Sequence, residues 1–283
     1  ENRCNYFFEA SVGGGIPIIR PINNCLTAER IVEVSGILNG TTNYILTKME
    51  QEGMLFEEAL GQAQALGYAE RNPEADVEGW DACRKIAILT SLASGNQVDF
   101  KDIYTEGITK VTAEDFAYAK KAGCAIKLLA VSKKQGDTYC VMVAPAFVRK
   151  ENPLYMVNDV FNAVCVEGNM LGASMFYGSG AGKLPTASAV AGDMVDAARH
   201  LGKIITTFWN PQKLELAPVG EMTHRFFVRM KSDAKDAKVF GDVEMIDAKI
   251  KGEIGFMTPV MSEDAFARKA KNLDIISMIR VEG

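Results

Sequence analysis

The sequence contains 283 residues, of which 48% are hydrophobic, and its formal net charge is −5. This length is enough for one large domain, or for two domains that each bury a core. A mildly acidic chain without runs of lysine or arginine argues against binding to nucleic acid or to an anionic membrane surface. No apolar stretch reaches the roughly 18 residues of a membrane span, so we predict no transmembrane helix.

Cysteines and histidines give no sign of a disulfide framework or a zinc site. The six cysteines contain no Cys-x-x-Cys pair, which predicts reduced thiols in the core of a cytoplasmic protein; they stand at positions 4, 25, 83, 124, 140 and 165. Neither His200 nor His224 has a second ligand at metal spacing, so zinc is not expected.

The apolar pattern predicts strands and helices in alternation. A strand followed by a glycine turn is expected within residues 5–19, a strand at 30–38, and helices at 39–53, 55–67, 77–94 and 112–123. A hairpin is expected over 125–148, followed by strands at 161–168 and 172–178 and a helix from 184 to 202.

The character of the sequence changes near residues 210–221, where two prolines and weak periodicity indicate a linker. Beyond it we expect strands at 224–231, 252–259 and 275–281, and a helix that Ser262 caps. This order predicts an α/β (α+β) fold in which a mixed β-sheet is covered by helices and followed by a small α+β module.

Asp81 and Lys85 stand four residues apart on one face of a predicted helix. The helix continues as "IAILTSLA" (86–93), which has no charged face and predicts burial on every side. Two interpretations stay open. The pair is either solvated, as most such pairs are, or it is partly desolvated, with Lys85 suited to proton transfer and Asp81 orienting a bound hydroxyl.

Four more carboxylates lie close by. Glu74 and Glu78 are expected in the first helical turn, where they complement the helix dipole. Glu70 and Asp76 flank Pro73 in an irregular segment, and carboxylates that converge there would suit a ligand with an ammonium group. A solvated acidic loop and a divalent-metal site are the alternatives, although the spacing is not that of a calcium loop.

Two glycine-rich segments allow close approach of a ligand or an ion. "GSGAGK" (178–183) fits neither the P-loop nor the dinucleotide fingerprint, so it is either a tight turn or a loop whose bare backbone meets a ligand. In "FFEASVGGGIPI" (7–18), Glu9 stands alone among apolar residues. With neighbouring carbonyls it would form an oxygen-lined cation site, and a turn beside an ion pair has the same pattern.

Four stretches of the chain resemble the homoserine dehydrogenase family in order and spacing. They are "FEASVGGGIPII" (8–19), "GILNGTTNYILTKM" (36–49), "ALGYAERNPEADVEGWDACRKIAIL" (65–89) and "YGSGAGKLPTASAVAGDMVDAAR" (177–199). The resemblance implies a cytoplasmic, homodimeric oxidoreductase that interconverts L-aspartate 4-semialdehyde and L-homoserine with NADP or NAD. That reaction serves threonine, methionine and isoleucine biosynthesis.

The resemblance also implies roles for single residues of this chain. Lys85 would be the proton donor, and Asp81 would bind the substrate hydroxyl. Further substrate contacts fall on Glu70, Asp76, Thr41 and Tyr68, and backbone contacts to the cofactor fall on Gly67, Gly180 and Gly182. A structural sodium ion is implied at Glu9, Val12, Gly14 and Ile16.

The resemblance further predicts two domains, a catalytic and dimerisation domain over 1–218 and a shortened ACT-like (ferredoxin-like) module over 219–283 that lacks its first helix. The family has aspartate where Asn72 stands here. It also carries its nucleotide-binding domain upstream of residue 1, so we expect a part of a longer protein that is nearly inactive alone. The helix from 184 to 202 should then expose an apolar strip. The alternatives are a non-catalytic amino-acid-binding protein and another Rossmann-linked dehydrogenase.

Overall fold

The computed structural model describes residues 4–205, 209–231 and 234–282. Within them, one mixed sheet contains eleven strands, nine of which follow the order β10-β11-β9-β13-β5-β4-β1-β6-β7, while β3 and β12 pair at its sides. Its strands are β1 (Ile31–Ile37), β3 (Tyr104–Thr105), β4 (Cys124–Gln135), β5 (Thr138–Arg149), β6 (Phe161–Gly168), β7 (Gly172–Ser179), β9 (Thr223–Met230), β10 (Glu244–Ile246), β11 (Ile254–Met257), β12 (Met261–Ser262) and β13 (Ile275–Glu282). A separate pair joins β2 (Asn96–Gln97) to β8 (Asn210–Lys213).

Helices cover the sheet, as the sequence predicts. They are α1 (Gly40–Glu52), α2 (Phe56–Ala65), α3 (Glu74–Val77), α4 (Trp80–Ser94), α5 (Ala113–Lys121), α6 (Lys183–Arg199), α7 (Ala234–Ala237) and α8 (Glu263–Ala270). The mixed α/β architecture is therefore confirmed. None of the helices within the described ranges is both long and apolar enough to cross a membrane.

The β4–β5 hairpin forms the centre of the sheet and is buried on both faces. Side chains that alternate along β4 belong to two different apolar clusters: Ile126 and Leu128 pack on one side, Leu129 and Val131 on the other. The sequence of a strand that is buried on both faces is a nearly continuous apolar run, and this run is why the hairpin could be predicted from the sequence.

Pro145 divides the outer edge of β5 between two partners. On one side of it β3 pairs with Met142 and Val143, and on the other β13 pairs with Ala146, Phe147 and Val148, both in parallel. Proline has no backbone N–H, so the ladder is interrupted where it stands. The opposite edge of β13 pairs antiparallel with β9, so β13 joins the C-terminal strands to the main sheet.

The helix predicted over 77–94 is present, but it begins three residues later than expected, as α4 (Trp80–Ser94). Gly79 adopts a left-handed conformation (φ 82°) that ends α3 and precedes α4. Glu74 therefore begins the short α3, and Glu78 follows that helix instead of lying in the first turn of α4. From residue 86 to residue 93 no side chain is exposed, which confirms the expected burial of this half of α4.

The predicted strand at the N-terminal end is wrong. The chain forms a short 3-10 turn at Glu9–Ser11, and the glycines after it bend the backbone, with positive φ at Gly13 and Gly14. The backbone N–H of Gly15 donates to the carbonyl of Ser179 at 3.1 Å. This segment is thus a turn attached to the loop that follows β7, and it pairs with no strand in the part of the chain that the structure describes.

The C-terminal strands follow the order β10-β11-β9-β13, and with α7 and α8 they give the succession β-α-β-β-α-β of a ferredoxin-like unit. One helical turn, α7, stands where the sequence suggested that the first helix was missing. Buried Arg280 pairs with Glu263 of the same unit at 2.7 Å and connects the unit to the rest of the chain through Glu106 at 2.8 Å. An ACT module and a boundary at residue 218 remain predictions.

Two surface features bear on the sequence analysis. α6 exposes Leu184, Val190, Met194 and Val195, which is the expected apolar strip.

Among the cysteines, Cys83, Cys124 and Cys140 are buried and Cys165 is half-buried, whereas Cys4 and Cys25 are exposed and so do not fit the expected core position.

Candidate active site

A cavity of about 470 Å³ opens where β1 passes into α1. The loop after α2, the first turns of α4 and the glycine loop after β7 complete its wall. Every residue that the sequence analysis assigns to catalysis, substrate or cofactor lines this single cavity. The lining contains Asn39, Gly40, Thr41, Gly67, Tyr68, Glu70, Asn72, Ala75, Asp76, Asp81, Arg84, Lys85, Val160, Ser179, Gly180, Ala181 and Gly182.

Lys85 reaches this cavity from the second turn of α4. Its ammonium nitrogen lies 2.6 Å from Oδ2 of Asp81 and donates a hydrogen bond to the backbone carbonyl of Leu38 at 2.8 Å. The Lys85 side chain is only 19% exposed. An ammonium group that is held by a carboxylate and a carbonyl keeps one N–H for a ligand, because it has three donors.

Asn39 connects the two aspartates of the site. Its amide nitrogen donates to Oδ1 of Asp76 at 2.7 Å and to Oδ2 of Asp81 at 2.8 Å. Its amide oxygen accepts from the backbone N–H of Thr42 at 2.9 Å and so caps α1. The end of β1 therefore fixes both carboxylates from the opposite side of the cavity.

Burial raises the pKa of Asp76, and the nearby carboxylates of Asp81 and Glu70 add to the rise. The hydrogen bond from Asn39 and the charge of Lys85 oppose it. The cavity thus concentrates negative charge beside one lysine, which is the environment that attracts a ligand with a positive group.

The α2–α3 loop is held to α1 by Thr41. Its hydroxyl donates to the backbone carbonyl of Tyr68 at 2.8 Å, and the ring of Tyr68 lies 5.1 Å from that of Tyr44. Glu70 follows on the exposed side of the same loop. Since Gly40 and Thr41 are the first residues of α1, their backbone N–H groups have no partner within the helix. That leaves them as donors for an anionic group.

The glycine loop forms the opposite wall. Gly182 has φ 118° and ψ 154°, a conformation that residues with a side chain rarely adopt. At Gly67 a Cβ atom would meet open space, so the bare backbone faces the cavity there. A Cβ at Gly14 would lie 2.3 Å from the Gly180 carbonyl oxygen, so the N-terminal turn packs directly behind this loop.

Glu9 lies outside the cavity and is almost fully buried, with 2% exposure. Its Oε1 accepts from the N–H groups of Ile18 (2.6 Å) and Ile19 (2.8 Å), and its Oε2 accepts from the backbone and side chain of Arg20. Both carboxylate oxygens are therefore taken, as in the ion-pair alternative. A sodium ion at this turn would have to use main-chain carbonyls of Glu9, Val12, Gly14 and Ile16.

Sequence reasoning missed two residues of the site. Asn39 was recognisable only as a helix cap, because its bonds to Asp76 and Asp81 span 37 and 42 positions of the chain. Arg84 lines the cavity next to Lys85, with its guanidinium 5.5 Å from the centre of the Phe100 ring. An arginine adjacent to the lysine was visible, but a one-residue offset does not show which way it faces.

Comparison with known proteins identifies the family. The sequence model of homoserine dehydrogenase matches residues 17–195, which is more than half of the chain and includes all the cavity residues. The chain belongs to the homoserine dehydrogenase family. Homoserine dehydrogenase of Mycobacterium tuberculosis is 47% identical over 231 residues. That alignment covers 79% of this chain and 52% of the relative, so the chain spans about half of that relative's length.

Solved homoserine dehydrogenases have the same fold. The enzyme from Thiobacillus denitrificans superposes with a TM-score of 0.87 at 32% identity, over 97% of this chain and 69% of that one. A hyperthermophilic archaeal homoserine dehydrogenase in complex with NADPH gives a TM-score of 0.58 at 32% identity, over 68% of this chain and 55% of that one. Asn72, the departure from the family pattern, lines the cavity beside Asp76.

Proposed function

We propose that this chain carries the substrate site of a homoserine dehydrogenase, which interconverts L-aspartate 4-semialdehyde and L-homoserine with NADP or NAD. The observation that carries the proposal is the ammonium group of Lys85, held 2.6 Å from Asp81 in a cavity that also contains Glu70, Tyr68 and Thr41. The family membership and the NADPH complex of the archaeal relative support the choice of reaction and cofactor.

The charges of the cavity suit an amino acid with a short polar side chain. Glu70 and Asp76 offer acceptors for the substrate ammonium group. The free N–H groups at the start of α1 offer donors for its carboxylate, with the helix dipole in the favourable direction. The other end of the substrate, which carries the reacting hydroxyl or aldehyde oxygen, would then lie beside Asp81 and Lys85.

Lys85 performs the proton transfer in this proposal. A nicotinamide bound against the glycine loop would supply the hydride that the aldehyde carbon receives. Lys85 gives a proton to the aldehyde oxygen, which becomes the hydroxyl of homoserine, and takes a proton from that hydroxyl in the reverse direction. Asp81 keeps the lysine in place and balances its charge, while the carbonyl of Leu38 fixes the direction of the remaining N–H. Gly67, Gly180 and Gly182 provide the bare backbone that a flat nicotinamide ring requires.

A spectroscopic assay tests this function. The intact gene product that contains this chain is mixed with L-homoserine and either NADP⁺ or NAD⁺, and the formation of reduced nicotinamide is followed. We expect turnover that depends on L-homoserine and is lost with Lys85→Met. Homoserine binding without turnover with either cofactor would instead identify a non-catalytic amino-acid-binding protein.

Two further features of the family are proposals for this chain. A homodimer is supported by β7, which ends the order of the main sheet and exposes Met175 and Tyr177 on one face. Sedimentation of the wild type and of Met175→Asp tests it, and a monomeric wild type would contradict it. A sodium ion on the main-chain oxygens of residues 9–16 is the second, tested by thermal stability in sodium against that in a bulky organic cation. We also propose a cytoplasmic location, where this biosynthetic reaction would take place.

A further inference from the structure

Asn162 in β6 is a buried amide without a hydrogen-bond partner. The residue is 1% exposed and stands opposite Gly178 in the β6–β7 ladder. Within the part of the chain that the structure describes, neither its amide oxygen nor its amide nitrogen has a partner, and each atom exposes less than 1 Å². A buried polar group in this state raises the free energy of the fold, so it calls for an explanation.

The amide lies against the backbone of two segments that wall the cavity. A Cβ atom at Gly180 would come within 2.1 Å of the amide carbon of Asn162, so the amide occupies the place of that absent side chain. On its other side, a Cβ at Gly40 would lie 3.3 Å from the amide oxygen. Asn162 is therefore packed between the glycine loop and the first residue of α1.

Asn43 shows what a buried amide looks like when its role is to hold the fold. It is also 1% exposed. Its amide nitrogen donates to the carbonyls of Val157, Asp159 and Phe161 at 3.0 to 3.2 Å, while its amide oxygen has no partner among the described residues. Asn162 has no such bond, although it lies in the same region and is equally buried. Its amide thus contributes nothing visible to this conformation of the chain.

We infer that Asn162 is a positioning residue for the glycine loop. When a ligand fills the cavity, the peptide groups of residues 179–181, which already lie against the amide, turn toward it and form hydrogen bonds with it, so that the loop is held in register with the start of α1. Gly180 makes this approach possible, because any side chain there would collide with Asn162. Asn162 never touches the ligand. The inference rests on the proposed function in taking L-homoserine and the nicotinamide as the ligands.

The test compares Asn162→Ala and Asn162→Ser with Asn43→Ala, in the intact gene product. Alanine and serine are close in volume, and only serine keeps a group that can donate and accept. We expect Asn162→Ala to keep the melting temperature of the wild type and to raise the KM for L-homoserine about tenfold with little change in kcat. Asn162→Ser should recover part of the affinity. Asn43→Ala should lower the melting temperature and leave KM nearly unchanged.

Two outcomes would overturn the inference. One is a KM for Asn162→Ala equal to that of the wild type; the other is a melting temperature that falls as far as that of Asn43→Ala. If the wild type does not oxidise L-homoserine at all, the proposed function fails, and the melting temperatures together with hydrogen exchange then decide on the role of Asn162. A large loss of stability in Asn162→Ala would show an ordinary structural amide. Full stability, together with slower hydrogen exchange of residues 179–181 in saturating NADPH for the wild type only, would support the positioning role.

Discussion

Oδ2 of Asp81 lies 2.6 Å from the ammonium nitrogen of Lys85. The same oxygen accepts a hydrogen bond from Asn39, and the lysine also donates to the Leu38 carbonyl. An i,i+4 pair that is fixed from a neighbouring strand in this way differs from the solvated pairs that most helices carry. Its geometry is set by the junction of β1 and α1, and not by the helix alone.

Replacing Lys85 by methionine should remove most of the activity. The side chain keeps its apolar stem, but the cavity loses its only lysine within the described residues, so kcat is expected to fall by about 10²–10⁴-fold. Steady-state turnover of L-homoserine by the intact gene product measures the loss. Binding of L-homoserine should weaken far less than turnover.

Lys48→Met is the matched control for that variant. Lys48 forms an i,i+4 pair with Glu52 at 2.7 Å on α1, but it does not line the cavity. We expect a change in kcat of less than about twofold, because Lys48 has a similar side-chain exposure (18%) but cannot reach a ligand in the cavity to transfer a proton. Equal losses in the two variants would mean that Lys85 acts through the fold and transfers no proton.

Asp76→Asn should gain stability over the wild type as pH rises. The pKa of Asp76 is raised from its ordinary value of 3.8, chiefly by burial, so ionisation is less favourable in the folded state than in the unfolded state. The resulting loss of stability in the wild type is absent below the ordinary pKa of Asp76 and complete above the raised pKa, and Asp76→Asn does not suffer it. Urea unfolding across this range, with exposed Asp137→Asn as control, measures the difference. A difference that does not change with pH would contradict the raised pKa.

Lys127 is a fully buried lysine that lies outside the cavity. It is fully buried in β4, where its ammonium group donates to the Val157 carbonyl (2.7 Å) and to Asn158 (2.9 Å). Burial lowers its pKa from 10.5 to about 8, against the opposing charges of Glu50 and Asp159. Folding therefore disfavours the charged form. The resulting penalty is complete below about pH 8 and disappears as pH rises toward the ordinary pKa.

Unfolding of the wild type and of Lys127→Met at two pH values tests this. A pKa shift from 10.5 to about 8 corresponds to about 3 kcal/mol. Between about pH 7 and about pH 10, the free energy of unfolding of the wild type should therefore rise by roughly 2 to 3 kcal/mol relative to that of Lys127→Met. Exposed Lys120→Met removes the same charge without burial and serves as control. A gain of the same size in the control would assign the effect to the overall charge.

Gly180→Ala should lower the stability of the protein, and adding Asn162→Ala to that variant should restore the stability. The added methyl group would meet the Asn162 amide at 2.1 Å, and shortening Asn162 removes that collision. Thermal melting of both single variants and of the double variant measures the coupling, which is expected to be positive because the residues touch. Additive effects would mean that the two side chains do not share this space.

The sequence predicted the elements that are defined by local periodicity, and failed where the decisive contact is distant. The twelve-residue strands β4 and β5 and the Ser262 cap of α8 follow from patterns within a few residues. The break between α3 and α4 depends on Gly79, whose left-handed conformation is fitted to the close approach of Gly107 against Val77 and Glu78. Local patterns contain no information on that approach.

The same distinction applies to the site. Glu70, Asp81 and Lys85 were found because their segment resembles a known family, and their convergence on one cavity was then visible in the structure. Asn39 and Asn162 were not found, since an asparagine at a strand end or within a strand has no periodic signature. Asn39 matters because it bonds to a residue far away in the sequence, and Asn162 because its buried amide has no partner among the described residues.

β13 has a consequence for how the chain folds. It lies between β9 and β5, two strands that are far apart in sequence, and it is the single strand in the described sheet that bridges them. Pairing β13 with both neighbours joins segments that are far apart in sequence, and such distant pairing slows the folding of sheets. Proline at position 281 should therefore strongly destabilise the sheet, because Val281 pairs with both Phe147 and Arg225 and proline has no backbone N–H to donate.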